Sequence, residues 1–213
     1  MANDPPLNQD DAMDQWVQAA ASDRKSFGRL FDLFYPQIFA YCSRRLLVRA
    51  VAEDVASEVF LKVAKAIANF EGSTSEDFRR WLYRITTNES NAQLRKSIRQ
   101  QALLEMATTM GLVGKKISSQ VLQTDSDIDW ELIYRAIGQL SQREQSIVSL
   151  RFFGHQSREE IAHVLEIKTG TVRVALSRAL DKLRTKLQEP HQEPTQNKFN
   201  INSALLAGKE KTQ

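Results

Sequence analysis

The residues best suited to specific chemistry lie on one side of a predicted helix near residue 175. This side carries Arg173, Val174, Ser177 and Arg178, and the opposite side is apolar. An arginine can form paired hydrogen bonds with guanine, a serine hydroxyl can bond bases or phosphate, and a valine can contact a thymine methyl. This set of side chains is typical of a helix that reads the DNA major groove. An ordinary surface helix with a basic face is the competing interpretation.

The elements that would position this helix are marked by capping signals. Ser157 is followed three residues later by Glu160, and this spacing predicts the start of a preceding helix. The three residues from Glu166 to Lys168 leave room only for a short turn between the two helices. A further capping box, Ser141 with Glu144, predicts another helix upstream. The pattern therefore favours a helix-turn-helix over an isolated basic helix.

Other reactive residues do not form the patterns of a catalytic or metal site. Cys42 and the three histidines lack metal-ligand spacing. The adjacent acids Glu53 and Asp54 have no partner that suggests acid–base catalysis, and no glycine-rich phosphate loop is present. We therefore predict no catalytic residue, no metal and no cofactor, and an enzyme is the least favoured class of function.

Composition limits the class of protein further. The 29 basic and 26 acidic residues give a net charge of +3, so any affinity for DNA must come from local clusters. A single cysteine excludes an internal disulfide, and apolar runs fall short of the roughly 20 residues that a membrane span needs. These features predict a cytoplasmic protein that does not insert into membranes.

Periodicity and the scarcity of glycine and proline predict an all-α fold of two small helical domains. The expected organisation is a disordered N-terminus (1–10), a helical domain (11–100), a flexible linker (101–126), a helix-turn-helix domain (127–188) and a flexible tail (189–213). Pro36 is expected to kink or divide one helix of the first domain, and Ser75 is expected to cap another.

Two stretches of the first domain carry features beyond core packing. One predicted helix places Asp54, Glu58 and Leu61 opposite its valine stripe, which indicates either a solvated face or a protein-docking surface. The loop from Phe70 to Ser75 leads into a helix that combines aromatic residues with arginines. Such a combination can hold single-stranded nucleic acid by stacking and phosphate contacts.

Two blocks of the sequence together resemble conserved regions of bacterial sigma factors. The segments FGRLFDLFYPQIFAYCSRRL, AEDVASEVFLKVAKAIANFEG and FRRWLYRITTNESNAQLRK are similar to their second region. The segment IYRAIGQLSQREQSIVSLRFFGHQSREEIAHVLEIKTGTVRVALSRALDKLRTKL is similar to their fourth. Since no third domain separates the blocks, the chain resembles the extracytoplasmic-function (ECF) group.

The resemblance implies core RNA polymerase and promoter DNA as partners, an anti-sigma factor as a candidate further partner, and three groups of site residues. Docking on the clamp-helix coiled coil of core polymerase is assigned to Glu53, Asp54, Glu58, Leu61 and Lys62. Contacts with the melted −10 element are assigned to Phe70, Glu71, Gly72, Ser73, Asn88, Arg95 and Lys96. Recognition of the duplex −35 element is assigned to Lys168, Thr169, Thr171, Arg173, Val174, Ser177 and Arg178.

The sequence departs from the common family pattern at Ser57, Asn91, Ser141, Gln145 and Glu166. The alternative function is a stand-alone helix-turn-helix repressor or activator, which would bind a palindromic duplex site tightly without polymerase.

Overall fold

Helices make up all the regular structure in the described part of the chain, residues 9–109 and 130–188 of a computed structural model. The all-α prediction is confirmed. Predictions for residues 1–8, for most of the linker and for the tail fall outside the described residues. In chain order the helices are α1 (Gln9–Ala19), α2 (Arg24–Leu46), α3 (Arg49–Ala66), a 3₁₀ turn (Ile67–Asn69), α4 (Ser75–Thr109), α5 (Trp130–Gly138), α6 (Gln142–Phe152), α7 (Arg158–Leu165) and α8 (Thr169–Gln188).

The long helix α2 begins at a side-chain cap and ends in a sharp corner. The Asp23 carboxylate accepts hydrogen bonds from the backbone N–H of Lys25 and Ser26, which satisfies two orphan donors of the first turn. The helix contains Pro36 and is a single helix, so the proline does not divide it. At its end Leu47 adopts the left-handed conformation, with φ of 65°, and α3 starts two residues later. Leu47 is itself buried, and this burial offsets the backbone strain.

The core of the N-terminal unit, residues 9–109, forms where α2, α3 and α4 pack together. Apolar residues recur at helical spacing on all three helices, so that each presents one buried stripe. Fully burying one such side chain contributes about 1.5–3 kcal/mol. The largest buried residues of this core are Leu30, Phe34, Ile38, Tyr41, Leu46, Val59, Phe78 and Leu82.

Helix α4 continues to Thr109, beyond the boundary expected near residue 100. The first nine residues of the expected linker, 101–109, are therefore helical. Their composition explains this extension, because they contain alanine, leucine, glutamate, glutamine and methionine, all good helix formers, and no glycine or proline.

The C-terminal unit, residues 130–188, is built from α5 to α8. The capping boxes predicted at Ser141 and Ser157 are both present, so they fix where α6 and α7 start. The buried side of α8 packs against α5, α6 and α7, and α7 also packs against α4 of the N-terminal unit. The central buried residues of this unit are Ile147, Leu150, Ile161, Val172, Leu176 and Ala179.

Candidate nucleic-acid and polymerase interfaces

The turn before α8 holds the predicted reading helix at a fixed angle to α7. Helix α7 ends at Glu166, which adopts the left-handed conformation with φ of 53°. The backbone N–H of the following Ile167 donates to the carbonyl of Ala162 at 2.9 Å, which closes the turn over the end of α7. Val172, Leu176 and Ala179 then bury one side of α8. The helix-turn-helix geometry expected from the spacing is therefore present.

All seven residues predicted to contact the −35 element are exposed on the turn and on the outer side of α8. Arg173 and Ser177 are one helical turn apart, as are Val174 and Arg178, so the four form a compact patch. Val174 is 43% exposed and lies outside the buried apolar stripe of the helix. The complete set is Lys168, Thr169, Thr171, Arg173, Val174, Ser177 and Arg178.

The predicted docking residues share the outer face of α3 but differ in their contacts. Asp54, Glu58 and Leu61 are exposed along one stripe, and Leu61 is 47% exposed. Glu53 forms an ion pair with Arg49 one turn earlier, at 3.0 Å. Lys62 is turned toward α4.

Lys62 links the docking helix to the helix beside it. Its Nζ lies 2.7 Å from Oε1 of Glu89, and this hydrogen bond is the main cause that raises the pKa of Lys62. Glu89 follows Asn88 of the predicted −10 set, so the pair connects the two helices that carry the two predicted sites. Sequence reasoning missed this pair because the partners lie on different helices.

The loop between the 3₁₀ turn and α4 is packed from below by aromatic rings. Phe70 stacks on Trp81 with ring centroids 4.8 Å apart and contacts Phe78 edge-on at 6.0 Å. A Cβ at Gly72 would collide with the Phe70 ring and lie 2.7 Å from Cβ of Asp77, so this position requires glycine. Phe70 thus supports the loop from inside, while Glu71 and Ser73 are exposed.

The same loop is anchored to α1 by a contact that the sequence pattern does not predict. The Ser75 backbone N–H donates to Asp14 Oδ1 at 2.6 Å, and Gln18 Nε2 donates to the Ser73 carbonyl at 3.1 Å. The cap of α4 is Thr74 rather than Ser75, because the Thr74 hydroxyl accepts the Asp77 N–H and donates to its carboxylate. The hydrogen bond from Thr74 is the main cause that lowers the pKa of Asp77.

Polar residues of α4 divide between an exposed basic side and a buried side. Asn88, Arg95 and Lys96 of the predicted −10 set are exposed, and Arg84 and Arg99 extend the same side. Arg84, Asn88 and Arg95 follow one another at helical spacing and define what we call the α4 stripe. Small hydroxyl residues occupy the packed side, where their oxygens bond within the helix or to α2; they are Thr86, Thr87, Ser90 and Ser97.

The remaining reactive residues form no site within the described residues. Cys42 is fully buried, and burial raises the pKa of its thiol to about 12, so a reactive thiolate is excluded at neutral pH. In residues 9–109 and 130–188, no cluster of three or more histidine, cysteine or acidic side chains could hold a metal. Within the same ranges, no helix has the length and apolar character to cross a membrane.

Three of the five departures from the family pattern lie together in space. Asn91, Gln145 and Glu166 all belong to the surface where the N-terminal and C-terminal units meet. Ser57 is exposed on α3, and Ser141 caps α6.

Comparison with protein families matches both units. Residues 30–100 match Sigma-70 region 2, and residues 130–183 match Sigma-70, region 4. The ECF RNA polymerase sigma factor SigW of Bacillus subtilis is 30% identical over 178 residues, which cover 81% of this chain and 94% of that protein. The ECF RNA polymerase sigma-E factor of Haemophilus influenzae is 27% identical over 186 residues, covering 84% of this chain and 95% of that protein.

Solved structures agree on the fold. CnrH in complex with the cytosolic domain of CnrY superposes with a TM-score of 0.61 at 22% identity, over 85% of this chain and 100% of that one. The sigma factor RpoE in complex with the anti-sigma factor NepR from Bartonella quintana gives 0.58 at 23% identity, over 78% and 99%. These matches do not favour the stand-alone repressor or activator. The chain therefore belongs to the sigma-70 family of RNA polymerase sigma factors, within its extracytoplasmic-function group.

Proposed function

We propose that this sigma factor divides promoter recognition between three surfaces. The exposed stripe of α3 docks on core polymerase, the loop at residues 70–73 with α4 holds the melted −10 strand, and the outer side of α8 reads the −35 duplex. The chain carries out no catalytic chemistry itself, because core polymerase supplies the active site and the metal. It acts in the cytoplasm, where polymerase and promoters are located.

The observation that carries this proposal is the exposure of all seven predicted −35 residues on α8 and the turn before it, while Val172, Leu176 and Ala179 bury the opposite side of the helix. A helix held by one stripe presents its other side to a groove without unfolding. Arg173 and Arg178 supply donors suited to guanine, and Val174 supplies an apolar contact suited to thymine.

The −10 surface provides enough free energy to start strand opening. Opening one base-pair step costs about 1–2 kcal/mol, and stacking one base contributes about 1–3 kcal/mol. One base stacked on the half-buried ring of Phe70, with its phosphates along the α4 stripe, therefore offsets the first step of melting.

An inhibitory protein partner fits the same family. Both structures compared above are complexes, one with the cytosolic domain of CnrY and one with the anti-sigma factor NepR. We extend that class of partner, an anti-sigma factor, to this chain.

Run-off transcription with purified core polymerase on a genomic fragment library tests the proposal. Wild-type protein should direct initiation at discrete sites that share a −35 sequence. Leu61→Asp should abolish transcripts and co-purification with polymerase, whereas the matched variant Leu33→Asp should keep both. Leu33 is the suitable control because it is also an exposed leucine, at 39%, on α2.

The proposed docking surface is wrong if Leu61→Asp binds polymerase like the wild type. The proposed function is wrong if the wild-type chain does not associate with polymerase and instead occupies a symmetric duplex site by itself.

A further inference from the structure

Helix α1 touches the segment to which the proposed function assigns the melted strand. This segment runs from residue 70 to residue 75, the first residue of α4, and we call it the −10 loop. The match to Sigma-70 region 2 covers residues 30–100, so α1 lies outside it. The three proposed surfaces do not include α1 either.

Two side chains of α1 bond to the backbone of the −10 loop on either side of Thr74. Asp14 Oδ1 accepts the Ser75 backbone N–H at 2.6 Å, and Gln18 Nε2 donates to the Ser73 carbonyl at 3.1 Å. Asp14 and Gln18 are four residues apart, so they lie one above the other on one side of α1. One side of one helix therefore fixes both a donor and an acceptor of the loop backbone.

Helix α4 does not depend on α1 for its start. The Thr74 hydroxyl accepts the Asp77 N–H, and the Thr74 carbonyl accepts the Phe78 N–H, so a local cap is present. The Ser75 N–H is a separate donor of the first turn. Since Ser75 is only 7% exposed, water is a poor substitute for the Asp14 carboxylate. The contact from α1 therefore serves the position of the loop more than the formation of the helix.

Helix α1 is itself held by the core of the N-terminal unit. Val17 is buried, and so is Ala20 directly after the helix. The guanidinium of Arg29 on α2 lies over the Trp16 ring, 5.3 Å from its centroid. Because α1 packs on α2 and α4 through its apolar side, its polar side stays turned toward the loop. The seat of α1 on the core therefore determines where the loop backbone lies.

A fixed loop favours the capture of a base. A loop that adopts the receiving shape for only a fraction of the time binds with an affinity reduced by that fraction. Gly72 gives the free segment additional backbone freedom, which makes external support more important. Stacking of one base is comparable in free energy to the opening of one base-pair step, so a moderate loss of affinity shifts the balance toward the closed duplex.

We propose that α1 is a positioning element for the −10 loop: Asp14 and Gln18 hold the loop backbone in the shape that receives an unpaired base, and they promote strand opening without contacting DNA. This inference rests on the proposed function for the identity of what the loop receives. The support of the loop by α1 can be measured on the free chain without polymerase.

The support of the loop is tested by residue-resolved hydrogen exchange on the full chain carrying Asp14→Ala with Gln18→Ala. The Ser75 N–H should exchange about tenfold faster or more, because it loses its acceptor. The matched control is Asp11→Ala with Gln15→Ala. These residues have the same types and spacing and are exposed on the same helix, so the control should keep the wild-type exchange rate.

Strand opening is tested with the holoenzyme on a promoter identified by the run-off experiment. Permanganate reactivity of unpaired thymines should show roughly tenfold less open complex for Asp14→Ala with Gln18→Ala, as expected if the receiving shape falls to about one tenth of the population. On the same promoter with a mismatched, permanently unpaired −10 element, transcription at saturating holoenzyme should stay within about twofold of the wild type. A misfolded variant, or one that does not bind polymerase, would lose transcription on both templates.

Two single variants separate the hydrogen bond of Asp14 from general damage to α1. Asparagine keeps an oxygen acceptor of the same reach, so Asp14→Asn should retain at least about half of the wild-type open complex. Asp14→Ala should retain less. Because alanine is the better helix former of the two, a defect that came only from a weaker α1 would give the opposite order.

The inference is overturned if the Ser75 N–H exchanges at the wild-type rate in the double variant, or if that variant forms as much open complex as the wild type. An equal loss of open complex in the Asp11, Gln15 control would overturn it as well. Failure of the wild-type chain to associate with polymerase would instead refute the proposed function, because the exchange measurement on the free chain does not involve polymerase.

Discussion

The ion pair between α8 and α6 makes a pH-dependent contribution to stability. Lys182 Nζ on α8 lies 2.7 Å from Oε1 of Glu144 at the start of α6. This hydrogen bond is the main cause that lowers the pKa of Glu144 from 4.5 to about 2, and the Ser141 donors add to it against burial. A shift of this size corresponds to at most roughly 3.4 kcal/mol. Because Lys182 is 57% exposed, solvent screening reduces the pair itself to about 1 kcal/mol.

The lowered pKa of Glu144 determines how this contribution to stability changes with pH. The folded-state pKa of Glu144 is the lower one, so its stabilising contribution is fully present above the unfolded-state value of 4.5. It is lost as pH falls from 4.5 toward about 2, where the carboxylate becomes protonated in the folded protein as well.

A double-mutant cycle with Glu144→Gln and Lys182→Met measures the pair by urea unfolding. The coupling free energy should be about 1 kcal/mol near pH 7 and fall by more than half near pH 3. Glutamine keeps the capping box, so the cycle isolates the charge pair. The control is Arg49–Glu53, whose side chains are 69% and 46% exposed, and its coupling should stay below about 0.5 kcal/mol. A Glu144–Lys182 coupling that is independent of pH, or no larger than the control, refutes the reasoning.

Three further predictions concern the proposed surfaces and the loop that supports one of them. Arg173→Ala should lose about 1–3 kcal/mol of discrimination at a single −35 base pair in a promoter-variant transcription assay. Arg184→Ala, which removes a basic side chain farther along α8, should weaken transcription from all promoters alike. Asp54→Lys should prevent co-purification with core polymerase without changing the far-UV circular dichroism, and Glu159→Lys on α7 should leave association intact; the reverse outcome would move docking to the other unit. Thr74→Ala should lower the free energy of unfolding by about 1 kcal/mol through loss of the α4 cap, and an unchanged urea midpoint would show that the cap contributes nothing.

Local signals in the sequence predicted the local structure well. The capping boxes at Ser141 and Ser157 depend on side chains three residues apart, so they can be found by reading along the chain. The buried stripe of α8 likewise follows from helical spacing. The cap at Thr74 was missed because Ser75 beside it is equally suitable by type, and the choice depends on where Asp77 reaches.

Contacts between distant segments were not predictable in this way. Arg45 lies inside an apolar helix pattern and bonds to residues about 100 positions away, and periodicity carries no information about such partners. The Lys62–Glu89 pair has the same character, since it depends on how α3 and α4 are placed side by side. The roles of the site residues follow from the family resemblance together with exposure, and they stay predictions until the variants are tested.

The length of α4 has a mechanical consequence. Thirty-five residues in one helix extend about 52 Å. The first turn of α4 follows the loop over Phe70, and its last turn leads toward the second unit. The two ends therefore move together as parts of one rigid helix. A tilt of only a few degrees imposed by a base entering at one end displaces the other end by several ångströms. In the proposed function, the direction in which the second unit is tethered depends on how the first unit holds the −10 strand. Inserting residues near the far end of α4 should therefore alter the preferred spacer length between promoter elements.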